Sequence, residues 1–178
     1  MESATLIRPR VWLPVVAGAG VAVVLGVYGR LHEPMVTADV AGFLRLQTLK
    51  VWLATAVAAL LLVQLLTALG VYGVLPGGAW VSAVHRWTGR LALLLSVPVA
   101  VHCLYTFGLR ADTPRVLAHS LFGCLLYGVF VTKMLLLSRP GPGRGWGVPL
   151  AGGLVLTAAA GLWATSALWF FTTIGTSW

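Results

Sequence analysis

Apolar residues in this chain come in five long runs, separated by short polar or Gly/Pro-rich breaks. The runs cover about 11–28, 49–75, 87–109, 115–137 and 148–171. At 1.5 Å per residue, about 20 residues match a hydrocarbon core about 30 Å thick. Each run therefore predicts a transmembrane α-helix, and the chain reads as an all-α, polytopic membrane protein built as a five-helix bundle. Pro14 falls in the first turn of the first helix, where a missing N–H costs little. Pro76-Gly77-Gly78 stops the second helix, and Pro98 lies near the middle of the third. The stretch SRPGPGRGWG after the fourth has no helical periodicity and reads as a loop. The longest connection, GRLHEPMVTADVAGFLRLQT, holds Glu33 and Asp39, and its second half is expected to form a short interfacial helix. No internal repeat is evident, so residues 1–178 form one expected membrane domain.

Composition strengthens this picture. The chain is 59% hydrophobic and 9% charged, against roughly 25% charged in soluble domains. Its mean hydropathy is +0.94. A net charge of +8 would suggest nucleic acid in a soluble protein. Here the basic residues sit at helix ends as headgroup anchors and form no continuous patch, so nucleic-acid binding is not expected. The opening MESATLIRPR resembles a signal peptide, but no A-x-A-like site follows, which predicts a retained first helix.

Basic residues also suggest an orientation. With the N-terminus cytoplasmic, Arg8, Arg10, Arg86, Arg90, Lys133, Arg139 and Arg144 face inward. Arg30, Arg45, Lys50, Arg110 and Arg115 face outward. Seven against five favours a multi-pass plasma-membrane protein with its N-terminus inside and its C-terminus outside.

The histidines carry the candidate chemistry. No Asp or Glu falls within a predicted span, whereas His102 lies inside the third and His119 just inside the fourth. Ionisable residues in a membrane are functional candidates by default. His102 lies roughly 10 Å of helix before the end of its span, and His119 roughly 6 Å past the start of its own. The short connection around Ala111-Asp112-Thr113 predicts antiparallel neighbours, with both imidazoles at similar depth on the outer side. Two neutral imidazoles facing each other across a bundle supply the axial ligands of a b-type haem. Gly123, one turn after His119, clears side-chain bulk for a flat macrocycle, and Pro98 is placed to aim the His102 ring. Arg110 and Arg115 flank the connection as candidate propionate partners. The competing reading makes these histidines hydrogen-bonding glue between helices.

The other two histidines are weaker candidates. His85 lies about 25 Å of helix from His102 and cannot grip the same haem. It reads as an interfacial residue beside Arg86, Trp87 and Arg90, with quinone or partner contact as the sharper alternative. His32, in the first loop, stands as a substitute ligand if that loop folds inward. Gln64, mid-span in the second helix, is expected to bond a neighbouring helix. Cys103 and Cys124 lie in apolar runs outside any C-x-x-C-H string, which excludes covalent c-type haem and leaves small core residues. The eight tryptophans mostly mark span ends, as an aromatic belt does. Walker loops, zinc-protease helices, serine elbows and paired carboxylates are absent from the sequence.

The strings HRWTGRLALLLSVPVAVHCLY and RVLAHSLFGCLLYGVFVTKMLLL carry two resemblances. Over nearly the whole chain, the sequence resembles an uncharacterised family of small actinobacterial membrane proteins. Over about 60 residues, it is similar to the cytochrome b-561 and ferric-reductase-like group. There, His119-Ser120 followed by Gly123 resembles a haem-ligand string at the start of a helix. His85 and His119 also resemble that group's arrangement. The group holds each haem from alternate helices, and the second and fifth spans here have no histidine, so its two-haem scheme does not carry over.

The expectation is therefore a membrane electron-transfer protein with one haem b between His102 and His119. It would be a subunit served by a redox partner protein or a quinone more than a complete enzyme. The alternative is a cofactor-free scaffold or assembly subunit. A small transporter fits less well, because inverted repeats and a mid-depth acid are missing.

Overall fold

The computed structural model describes residues 9–33, 46–138 and 144–175. The proposed interfacial helix in the first loop lies largely outside the described residues. All regular structure among them is helical: α1 (Pro9–Leu31), α2 (Leu46–Val71), α3 (Trp80–Thr106), α4 (Pro114–Ser138), α5 (Arg144–Trp163), a π turn (Ala164–Leu168) and α6 (Trp169–Thr173). Five stretches are long and apolar enough to cross a membrane, the last being Gly145–Thr173, which runs through α5, the π turn and α6. Large apolar side chains such as Val23, Val24, Leu62 and Leu94 point outward. In water that would be a liability, but in lipid these faces need no covering.

The described chain forms two compact units, and neither is a run of consecutive helices. The first holds α1, α4 and α5 up to Gly161. Here α1 and α4 lie antiparallel and nearly touch backbone to backbone. A Cβ at Gly128 would come 2.7 Å from the Gly18 carbonyl oxygen and 2.9 Å from the Ala22 Cβ. Small residues four apart on α1, Gly18 and Ala22, thus form the groove that receives α4, as membrane helices often pack. The Thr132 hydroxyl lies 3.1 Å from the Gly128 carbonyl and 3.2 Å from that of Pro14, which is fully buried. At the far end, the Leu109 N–H donates to the Gly29 carbonyl at 2.6 Å. The α4–α5 pair buries Leu136, Val148 and Ala151, with Val129 and Leu137 against them.

The second unit holds His32–Gly108 and the chain from Leu162. Here α2 and α3 form a hairpin. Gly73, with φ +75°, closes α2, and the Val74 N–H returns to the Leu69 carbonyl at 2.8 Å. That left-handed residue is why α2 stops before the expected 75. Val81, buried in the first turns of α3, packs over Gly70. Gly108, φ +64°, ends α3 in the same manner. The final stretch meets α2 through a Trp163 Nε1–H bond to Thr55 Oγ1 at 3.2 Å. Ala167, wholly buried, sits in the π turn, and the Trp52 and Phe171 rings meet edge to face at 5.6 Å.

One boundary differs with consequence. The third helix begins at Trp80 rather than near 87, because Ser82, His85 and Arg86 interrupt the apolar run without interrupting the helix. His85 therefore lies in the second turn of α3, inside the helix.

Candidate functional site

Two polar clusters occupy the α2–α3 unit. The first links the helices through side chains that sit three residues apart on each. Gln64 on α2 donates through Nε2 to the His85 carbonyl at 2.5 Å and to Thr88 Oγ1 at 2.6 Å. Thr88 in turn donates to the Val84 carbonyl at 2.8 Å. Thr67, buried on α2, donates to the Val63 carbonyl at 2.6 Å and meets His85 Nδ1 at 2.9 Å. A hydroxyl has one proton. With that proton on Val63, the His85 contact is Nδ1–H donating to Thr67, which makes Nε2 the basic nitrogen. Gly89 gives Gln64 its room, since a Cβ there would lie 3.1 Å from Gln64 Oε1. Gln64 thus bonds a neighbouring helix, as expected for it, and His85 is tied to α2. The i, i+3 pairs Gln64/Thr67 and His85/Thr88 on consecutive spans were the available sequence signal for this cluster.

The second cluster lies at the C-terminal end of α3. His102 is half-buried, with Nδ1 3.4 Å from Thr106 Oγ1 one turn along. Its ring meets that of Phe107 edge-on at 5.9 Å, and the Lys50 ammonium lies 4.7 Å from the Phe107 ring centre. His32 also comes here. Its ring stands edge to face with Tyr105 at 5.1 Å, three residues from His102 on the same helix, and its Nε2 is shielded from solvent. The residue that opens the first loop therefore packs against α3.

His119, Gly123, Arg110 and Arg115 belong to the other unit. His119 lies half-buried in the second turn of α4, with Gly123 half-buried one turn on. Thr113 caps that helix, its Oγ1 accepting the Val116 N–H at 3.3 Å, with Pro114 in the first helical position. Ser120 holds the preceding connection by accepting from the Arg110 N–H at 3.3 Å and donating to its carbonyl at 3.1 Å. The Arg110 guanidinium pairs with Asp112 at 2.6 Å, both exposed, and Arg115 is half-buried in the first turn of α4. An exposed pair contributes under about 1 kcal/mol. Arg110→Gln should therefore leave thermal stability within about 1 kcal/mol of wild type, measured by unfolding in detergent. The pairing of His102 with His119 rests on their sequence positions, while His32 is the histidine packed beside Tyr105 within the unit of His102.

Among the described residues, no group of three His, Cys, Asp or Glu side chains is arranged to hold a metal ion. A haem asks for less, two imidazoles and a cleared face. His102 offers one such imidazole, its Nδ1 lying 3.4 Å from the Thr106 hydroxyl.

The comparison with curated proteins finds no match, and neither does that with solved structures. One family model, described as a family of unknown function, matches residues 11–178.

Proposed function

The chain belongs to the DUF6529 family, whose function is unknown, and we propose from its own residues that it is a membrane electron-transfer protein carrying one b-type haem. The axial ligands in this reading are His102 and His119. The observation that carries it is His102, a half-buried imidazole inside a membrane span whose Nδ1 faces Thr106 Oγ1 at 3.4 Å. A hydrogen bond at one ring nitrogen orients the other toward a metal. The assignment of His119 follows from the short connection between α3 and α4 and from Gly123 one turn along. Arg110, which also pairs with Asp112, and Arg115 are the propionate partners in this reading.

Bound haem supplies a one-electron carrier whose potential depends on its ligands and burial. The chain's part is to keep both imidazoles neutral, hold them in a low dielectric and exclude water. The reading makes the protein a subunit that works with a redox partner protein or a quinone. By the distribution of basic residues, it is a plasma-membrane protein with a cytoplasmic N-terminus. The resemblance to the cytochrome b-561 group supports the same class.

The test is an optical spectrum of the detergent-purified protein from haem-replete cells, oxidised and then dithionite-reduced. A Soret band that shifts on reduction, with sharp α and β bands, is the expected result. His102→Ala and His119→Ala should each remove the low-spin signature, while His32→Ala should keep it. Loss in His32→Ala with retention in His119→Ala would move the second ligand to His32. A colourless protein would overturn the reading.

One observation favours a second reading, a cofactor-free scaffold: Thr67 and His85 already join α2 to α3 by a side-chain bond at 2.9 Å. In a scaffold, His102→Ala would lower stability modestly and change no spectrum.

A further inference from the structure

We propose that the α4–α5 hairpin binds the phosphate headgroup of an anionic phospholipid at Lys133. This residue lies on the α4 face that packs against α5. Val129, Leu136 and Leu137, at i−4, i+3 and i+4, join Val148 and Ala151 in the apolar cluster between the two helices. A half-buried ammonium therefore interrupts a helix interface that is otherwise hydrocarbon.

Its surroundings on α5 are unusual in being open. A Cβ at Gly152 would lie 3.9 Å from Lys133 Nζ, and one at Gly153 would meet nothing within 4 Å. Gly152 thus leaves space beside the charge. The sequence of α4, α5 and the segment joining them contains no Asp or Glu to fill it. The chain's four acids are Glu2, Glu33, Asp39 and Asp112, and Asp112 is paired with Arg110 before the start of α4. A cation in a span without a counter-charge is costly. An anion brought by the membrane itself removes that cost.

Depth and company agree. Lys133 precedes the last residue of α4 by about 7.5 Å of helix, within reach of the headgroups for a snorkelling side chain. The bond from Thr132 to the Pro14 carbonyl puts the start of α1 beside the end of α4. Along the sequence, Lys133 is followed by Arg139 and Arg144. Clustered basic residues between membrane helices attract anionic headgroups.

The experiment uses the full chain in detergent, with thermal unfolding and native mass spectrometry after adding phosphatidylglycerol, phosphatidylcholine or inorganic phosphate. Phosphatidylglycerol should raise the melting temperature and stay bound, while phosphatidylcholine should do neither. Lys133→Gln should weaken phosphatidylglycerol binding about fivefold, and Lys133→Arg should retain it. Gly152→Leu, which keeps the charge and fills the space, should also weaken it. Equal responses to the two lipids, or wild-type binding by Lys133→Gln, would overturn the proposal. An equal response to inorganic phosphate would overturn the lipid as the source. Haem content enters none of these readouts, so the electron-transfer reading stands or falls separately.

Discussion

Gly128→Ala is expected to force α1 and α4 apart and to cost about 1–3 kcal/mol, the usual penalty for overfilling a packed contact. The reason is where the methyl group would go. It would meet the Gly18 carbonyl oxygen at 2.7 Å and the Ala22 Cβ at 2.9 Å, and backbone cannot swing aside as a side chain can. Gly18→Ala should behave alike, since its new methyl would collide with the Gly128 carbonyl and the Thr132 hydroxyl. Gly20→Ala is the control. It lies two residues away on the same helix with nothing within 4 Å, so only helix propensity changes, by up to about 1 kcal/mol in favour of alanine. Unfolding in detergent, followed by tryptophan fluorescence, measures all three. Equal stability of Gly128→Ala and Gly20→Ala would refute the close approach.

Gln64→Leu should produce the second large effect, a loss of about 1–2 kcal/mol. Interhelical side-chain bonds in membranes average about 0.6 kcal/mol and reach about 1.7. Gln64 makes two to α3, one to the His85 carbonyl and one to Thr88. Leucine keeps the volume and removes both donors. Thr67→Val should cost less on its own, because it takes away the single contact with His85 Nδ1. The double variant should lose less than the sum if His85 relies on both partners through one cluster. Thermal unfolding of the two single variants and the double variant measures this, and an unchanged melting temperature for Gln64→Leu would refute it.

The number and approximate extent of the spans were legible in the sequence because lipid demands long apolar runs whatever their neighbours. The start of α3 was not, since hydropathy reads Ser82, His85 and Arg86 as interface while the backbone continues through them as helix. Partnership was illegible for a deeper reason. Helices that are apolar on every side carry no stripe to say which face is inside, so the pairing of α1 with α4, nested in sequence about that of α2 with α3, leaves no periodic trace. Gly18 and Gly128 become meaningful only once their helices are known to touch. His102 and His119 stood out as rare ionisable residues in lipid, whereas Lys133 was absorbed into a count of charges that set orientation. Its position over Gly152 depends on helix rotation, which composition cannot supply.

The nesting has a consequence in time. Thr132 and its contact at Pro14 are 118 residues apart in the chain. Ribosomes add roughly 5–20 residues per second, so α1 emerges roughly 6–24 s before the part of α4 it packs against. During that interval α2 and α3 can close their hairpin, because α3 is made directly after α2. The groove of Gly18 and Ala22 on the first helix must wait in the bilayer, filled by lipid tails, until the fourth arrives to displace them.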